Sequence, residues 1–519
     1  VGIAVRLFNL RAQVLGDDEL HAVRSALAHP VREILVTYEK ADNCIPLSAL
    51  FRLLLDAGVR LSEILLRTPG LAAGILLLAL LPWAAGRALG RGLPGAAVFA
   101  WLLALSPPLV LYSRIVRSYM PVVLLGAGAA VAFWAWWRRP RLATGAAYVV
   151  SAALAVWFHL GAGPWVASPL LFGAGALLLD RGEDRWRNLL RLSLLAAGLA
   201  LGLLAFLLPA RASFLALVRE KHRPLAVPGS TVLGVLELQA GNSHLPLALL
   251  FWGTASAGLA LLFRRDRPLA LYTVVLVAGN LAGLLLLSPE GIELPLVFNR
   301  YLLLALPAVL LWVAAALRPA VAVVFLALFT LTGPFGDPGF RRSPFVHNDI
   351  YMEYCTPRGQ LAAAEVPEIY RRLRGDGGAD PLLEYPWIPL WRLNRALGAY
   401  QEVHGQDLVV ASHRPAFWDE RLAFRNMVPG DPESFLASRA RHLVIHRDLA
   451  REEIRVPHTA HRPHDGLAER LEGELAGEAK AMARRLKRQW GPPNDADEWV
   501  QVWDLDAVRA QKGRTPGTP

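Results

Sequence analysis

Three carboxylates stand in a row at Asp17-Asp18-Glu19, inside the run Gly16-Asp17-Asp18-Glu19-Leu20-His21. Acids packed this closely repel one another, and beside an apolar body they desolvate badly. Such a run is therefore either well solvated or kept for proton transfer. The plainer of the two readings is a solvated helix start, since Asp17 or Asp18 can cap a helix over Leu20 to Leu27 and favours its positive end. Isolated cations also lie at the ends of long apolar runs: Arg114 and Arg117 in Ser113-Arg114-Ile115-Val116-Arg117-Ser118-Tyr119, Arg300 in Phe298-Asn299-Arg300-Tyr301-Leu302, and His159. An arginine in that position either snorkels toward water or binds an anion with its planar fork of donors. A histidine there can handle a proton, donate to a phosphate or simply anchor a helix end.

The elements that must position these groups are membrane spans. The chain has 519 residues, 54% of them hydrophobic and only 19% charged, with a mean hydropathy of +0.35, too apolar for one soluble domain of this size. The expected fold class is a polytopic α-helical membrane protein. Apolar runs of roughly 17 to 25 residues, enough to cross a bilayer, recur from Pro69 onward. They fall near 69–86, 94–112, 118–137, 142–158, 163–179, 189–209, 245–263, 268–287, 300–317 and 319–334, and Val1 to Leu10 reads as the tail of a further apolar helix.

Arginine placement gives an orientation. One set of alternate connections holds Arg87 and Arg91, Arg138-Arg139-Pro140-Arg141, Arg181 to Arg191, Arg264-Arg265-Asp266-Arg267 and Arg318. That set is expected in the cytoplasm, and positive-inside bias accounts for the net charge of +11 better than nucleic acid does. The acidic stretch, the turn at 113–118, His159, Arg300 and everything after Pro334 then share the outer face. There Arg117 and Arg300 run against the positive-inside trend, which favours a role for them.

Residues 1–334 are expected to form the membrane body, with an outer loop over 11–68 and an outer amphipathic loop over 211–244. Past Pro334, glycine, proline and charge become frequent, and short β-type runs at 381–385, 407–412, 442–446 and 499–503 alternate with helical stretches at 389–403, 432–439 and 467–489. That pattern predicts a small soluble α/β domain over 335–507 and a disordered tail over 508–519. Trp134-Ala135-Trp136-Trp137, at a cytoplasmic span end, reads as an aromatic belt. Cys44 and Cys355 have no metal-ligand spacing, and His404, His413, His442 and His446 are scattered, so no metal site is expected and no cofactor is required. A divalent cation stays open.

Taken in order, these features resemble the GT-C superfamily. The outward Asp-Glu pair, the Asp42-Asn43-Cys44-Ile45-Pro46-Leu47 loop, the Ser113 to Tyr119 junction, His159 at an outer span end and Phe298 to Leu302 opening a late span carry the resemblance over residues 1 to 335. The branch most similar is the bacterial relatives of protein O-mannosyltransferases and aminoarabinose transferases, multi-pass proteins of the inner (plasma) membrane that use polyprenyl-phosphate-linked sugars. Ser118 stands where a proline is common, and Cys44-Ile45 replaces a proline-rich step. The resemblance implies an inverting transfer from a lipid-linked sugar to a hydroxyl or phosphate of a lipid, glycan or protein acceptor. Asp18 maps to the catalytic base, with Glu19 beside it and Asp17 an extra acid; Asp42 and His159 map to substrate binding. A lipid phosphate leaves readily without a proton, so one carboxylate suffices for the acceptor hydroxyl. The phosphate calls for guanidinium groups, with Arg117 and Arg300 the leading candidates, Arg114 a weaker one, and Tyr119 and Tyr301 beside them. The C-terminal domain is expected to help select the acceptor. Two other classes fit the composition: a transporter or lipid flippase, which would carry ionisable groups inside its spans, and an inactive envelope scaffold.

Overall fold

In the computed structural model the protein is helical through its first two thirds, with a small sheet near its end. The structure describes residues 1–336 apart from 9, 11–12, 15–16, 39–40, 42–43, 60, 89–91, 180–181, 183 and 223–226; beyond 336 it describes 356–357, 366–374, 382–385, 408–409, 432–436, 440–447 and 466–513. Asp42, Cys355 and the helix expected over 389–403 lie outside the described residues. The chain divides into two units, one comprising Val1–Leu10 and His21–Phe345, the other Arg11–Leu20 and Val346–Pro519. The loop expected over 11–68 is thus split, its acidic stretch grouping with the C-terminal part.

The first unit opens with α1 (Gly2–Leu7), followed, after the residues that belong to the second unit, by the larger part of α2 (Asp17–Ala28) and by α3 (Val31–Val36) and α4 (Ile45–Asp56). Pro46 sits in the first turn of α4, where its missing N–H costs nothing, and this helix buries Ile45, Leu47 and Phe51. The spans follow as α5 (Glu63–Ala88), α6 (Gly92–Leu105), α7 (Pro107–Ser113), α8 (Tyr119–Arg138), α9 (Leu142–Phe158), α10 (Gly163–Leu179) and α11 (Arg185–Leu207). Next come α12 (Arg211–Lys221), α13 (Gly229–Ala240), α14 (Leu245–Arg265), α15 (Arg267–Leu287), α16 (Pro295–Leu302), α17 (Leu306–Ala316) and α18 (Pro319–Thr332).

Among the described residues six unbroken helical stretches are long and apolar enough to cross a membrane, and two more pairs qualify together but are bent. The pairs are α6 with α7, bent by 59°, and α16 with α17, bent by 76°. Both fall inside runs that the sequence reads as single spans, 94–112 and 300–317. Pro107 and Pro108 open α7, and a proline pushes the residue before it out of helical geometry, as at the extended Ser106; Pro307 lies in the first turn of α17, where Ala305 keeps helical angles. At the other two expected positions, 142–158 and 319–334, the apolar helices α9 and α18 are shorter, at 17 and 14 residues. Large side chains left exposed, such as Leu178, Leu201, Leu286 and Val324, lie on these helices, as a lipid-facing surface requires.

Small residues let the helices meet closely. A Cβ on Gly258 of α14 would fall 1.7 Å from the Trp312 carbonyl oxygen of α17, so the two backbones touch there. Gly258→Ala is therefore expected to destabilise the body by roughly 1–3 kcal/mol, visible as a lower melting temperature in detergent; an unchanged melting curve would refute the contact. Three hydrogen bonds join neighbouring helices: Trp312 Nε1 donates to Thr273 Oγ1 at 2.9 Å, Tyr272 Oη to Ala130 O at 2.7 Å and Tyr148 Oη to Val166 O at 2.7 Å. The tryptophans expected to form a belt instead pack helix on helix. Trp134 stacks on Tyr272 with centroids 5.1 Å apart, Trp137 meets Phe172 edge to face at 5.6 Å, and Trp136 is buried.

In the second unit β1 (Gln13–Val14) pairs antiparallel with β2 (Thr356–Pro357). The remaining elements are α19 (Glu368–Arg374), β3 (Leu382–Tyr385), β4 (Leu408–Val409), α20 (Pro432–Leu436), β5 (His442–His446), α21 (Gly466–Trp490), β6 (Asp495–Ala496), β7 (Val500–Asp504) and α22 (Leu505–Lys512). The five-stranded sheet has order β4-β3-β5-β7-β6, with β3 parallel to both β4 and β5, and β7 antiparallel to both β5 and β6. Both β3 and β5 are buried throughout, as parallel centre strands are. Met482, Leu486 and Trp490 of α21 join Leu383, Leu443 and Ile445 in one core. Within it the Glu384 carboxylate accepts from Tyr370 Oη at 3.0 Å and meets His446 Nε2 at 2.8 Å, which satisfies a buried acid. The tail expected to be disordered from Val508 begins instead as α22. Asp504 caps that helix by accepting from the Asp506 and Ala507 N–H groups, and Arg509 is buried, donating to Leu436 O and Ala440 O.

Candidate functional site

The turn between α7 and α8 carries two arginines with different fates. Arg114 is fully buried, and its Nη1 donates to Arg6 O at 3.0 Å and Phe8 O at 2.7 Å, satisfying carbonyls left open at the end of α1. Arg6, also buried, donates to Leu103 O, Ala104 O and Ser113 Oγ, so α1, α6 and α7 are tied at one point. Arg114, expected as a weaker phosphate ligand, thus supports the backbone. Arg117, three residues on, is half-buried, with its Cζ 6.0 Å from the centre of the Tyr119 ring.

Arg300 reaches the same ring from the other side of the sequence. Its helix, α16, is held by α13: Gln239 Nε2 donates to Asn299 Oδ1 at 2.6 Å in a buried pair, and Thr231 Oγ1 donates to Glu293 O. The segment before α16 is pinned by an ion pair of 3.0 Å between Lys221 and Glu290 and by Glu290 N donating to Lys221 O. The Arg300 Cζ then lies 5.8 Å from the Tyr119 ring centre and 5.7 Å from that of Tyr301, within range of a cation–π attraction.

His159 completes the group from the connection between α9 and α10. Its ring centre is 5.6 Å from that of Tyr119 and 5.6 Å from that of Tyr301. The chain closes a 3-10 turn over Leu160–Ala162 at this point, and the Gly161 N–H donates to His159 Nδ1 at 3.1 Å. Burial, then the Arg300 and Arg117 guanidinium groups, push the imidazole down from 6.5 to about 4. Two cations near a histidine oppose a third charge.

Five residues singled out in the sequence, Arg117, Tyr119, His159, Arg300 and Tyr301, are therefore brought together. Four of them, Tyr119, His159, Arg300 and Tyr301, line a narrow cleft with Val122, Val123, Leu303 and Leu304 as its apolar lining, and Arg117 lies beside the Tyr119 ring. A lining that combines guanidinium, imidazole and phenol groups with aliphatic side chains has the chemistry to meet an anionic group joined to an apolar one. Among the described residues no three His, Cys, Asp or Glu side chains gather as metal ligands. Asp17, Asp18 and Glu19 form the first turn of α2, and Glu19 is buried.

Arg67 escaped the sequence reading. It is fully buried and shares a face of α5 with Gly70 and Gly74, whose absent Cβ atoms leave room for the Ser113 and Ile115 carbonyls and for Ser113 Oγ. A lone arginine at an outer span end was the available signal, the same one that marked Arg117.

No protein-family model and no curated protein matches the chain. Solved structures do. ArnT from Cupriavidus metallidurans in the apo state is similar over 85% of this chain and 90% of its own, with 16% identity and a TM-score of 0.52. The same protein bound to undecaprenyl phosphate is similar over 86% and 92%, with 14% identity and a TM-score of 0.54. Arabinofuranosyltransferase AftD from mycobacteria aligns over 86% of this chain and 36% of its own, at a TM-score of 0.46. The chain therefore shares the fold of these ArnT structures.

Proposed function

From this shared fold we propose that the protein transfers a sugar from a polyprenyl-phosphate-linked donor to a hydroxyl or phosphate acceptor, with inversion, at the non-cytoplasmic face of a membrane. The observation that carries the reading is the cleft lined by Arg300, Tyr119, His159 and Tyr301 together with aliphatic side chains, with Arg117 beside the Tyr119 ring. An ArnT structure holds undecaprenyl phosphate, which has the chemistry such a cleft suits. In the reaction the acceptor oxygen bonds to the anomeric carbon as the bond from that carbon to the phosphate oxygen breaks. The electron pair leaves with the phosphate, whose growing charge the guanidinium groups stabilise. The acceptor proton passes to a carboxylate, for which Asp18 is the candidate and Glu19 and Asp17 the neighbours.

Purified protein in nanodiscs, supplied with polyprenyl-phosphate-linked hexoses and pentoses, is expected to release polyprenyl phosphate when an acceptor is added, read by mass spectrometry. A deletion strain should lose one sugar from its envelope glycolipids or glycoproteins. No release with any donor, together with movement of the lipid between leaflets, would favour a flippase and overturn the transfer reading.

Sidedness has its own check. With Cys44 and Cys355 replaced by serine, Ser243→Cys is expected to label from outside and Arg265→Cys only after permeabilisation; both positions are exposed. Labelling of both from one side would sink the orientation drawn from the arginines.

A further inference from the structure

We infer that His159 acts as a fixed neutral hydrogen-bond donor, presenting Nε2–H to a phosphate oxygen of the lipid-linked donor, and serves neither as a base nor as a cation. The inference rests on the reading above that the cleft receives a phosphate. Its first support is the tautomer. A backbone N–H can only donate, so the 3.1 Å contact from Gly161 N makes Nδ1 the acceptor, and the one ring proton of the neutral form must sit on Nε2.

The second support is the way the ring is held. The His159 N–H closes α9 on Ala155 O while its side chain caps the next turn, so backbone and ring are set by the same few residues. Tyr119 and Tyr301 flank the ring. A Cβ on Gly161 would fall 2.9 Å from both Nδ1 and Cε1 of His159 and 3.2 Å from the Tyr301 ring. Only glycine lets its own N–H approach Nδ1 this closely, so the residue that sets the tautomer has little freedom to change.

The third is the charge around it. Among the described residues, the groups facing His159 are Arg117 and Tyr119 from the α8 end and Arg300 and Tyr301 from α16. The charged members are both cations, so the imidazole stays neutral well below pH 6.5. A base at this point would have to become positive between two guanidinium groups. A neutral donor has no such cost, and its bond to the phosphate strengthens as the leaving oxygen gains charge, so it contributes to the rate more than to binding.

The experiment compares His159→Gln, His159→Asn and His159→Ala in the full chain in nanodiscs, with the side-chain tautomer read by NMR of 15N-histidine-labelled protein. Glutamine places an N–H donor near the Nε2 position and asparagine near Nδ1. His159→Ala is expected to lower kcat by roughly 100-fold with a smaller change in KM. His159→Gln should recover about tenfold of that loss and His159→Asn should not. The wild-type pH profile should have no limb that disappears in His159→Gln. The resonances missing from the His159→Gln spectrum should have the Nε2–H pattern at pH 7 and shift when undecaprenyl phosphate is added. An Nδ1–H or imidazolium pattern at pH 7, equal rescue by asparagine, or an acid limb lost with the side chain would each overturn the inference. If the wild type transfers no sugar, the transfer reading fails by itself, while tautomer and undecaprenyl phosphate shift still decide the role of His159. Should His159→Gln not fold, Gly161→Ala identifies the same resonances by displacing them.

Discussion

Asp18→Asn is expected to lower turnover by about 100-fold or more while leaving donor binding in place. Asparagine keeps the size of the side chain and most of its hydrogen bonding, so what it removes is the ability to take a proton. The phosphate leaves without one, and the acceptor hydroxyl is the only group whose proton must go elsewhere. The informative comparison sets Asp18→Asn beside Asp17→Asn and Glu19→Gln, because all three acids share the first turn of α2. One carboxylate suffices for one proton, so the three variants are expected to differ. Collapse in Asp17→Asn with near-normal turnover in Asp18→Asn would move the base by one residue. Near-normal turnover in all three would remove the stretch from the chemistry.

Arg300→Ala should cost roughly 100-fold in kcat/KM for the lipid-linked donor, in the range found for the loss of one strong donor to a developing anion. Arg300→Lys is expected to restore only part of it. Lysine offers a point charge in place of a fork that lies near two aromatic rings at once, 5.8 Å from Tyr119 and 5.7 Å from Tyr301. The supports of α16, from Gln239 to Asn299 and from Thr231 to Glu293, do not involve the arginine, so the melting temperature should move little. Unchanged donor KM and kcat in Arg300→Ala would take the cleft out of donor binding.

Much of this was legible in the chain. Apolar length marked the spans, and a short β-type run marked β5 at residues 442–446. The arginines that ran against the charge bias, Arg117 and Arg300, gather with His159, which was marked by its place at a span end. Other features were hidden for physical reasons. Hydropathy continues unbroken through Ser106 and through Leu303 to Ala305, so a composition window reads across bends of 59° and 76°, of which the prolines after Ser106 announce the first. Arg114 and Arg117 share one short motif, and which of them turns to carbonyls depends on α1, a hundred residues away in sequence. The tryptophans of α8 satisfy a belt and a packed seam equally well until the partner rings Phe172 and Tyr272 are placed. In the tail, the cap of Asp504 and the pairing of Arg509 with Asp506 were readable signals of a helix, outweighed by the glycines and prolines just beyond it.

The pairing of Gln13–Val14 with Thr356–Pro357 has a consequence for modularity. The chain passes from one unit to the other after Leu10, returns after Leu20 and crosses again after Phe345. A recombination event with a single breakpoint near residue 345 would exchange the sheet and helices of the second unit but strand the acidic segment with a foreign partner. Chimeras between relatives should therefore need two exchanged pieces, Arg11–Leu20 together with Val346 onward, to keep β1 and β2 matched. The acids nominated for proton transfer and the C-terminal unit are then expected to be inherited as one block.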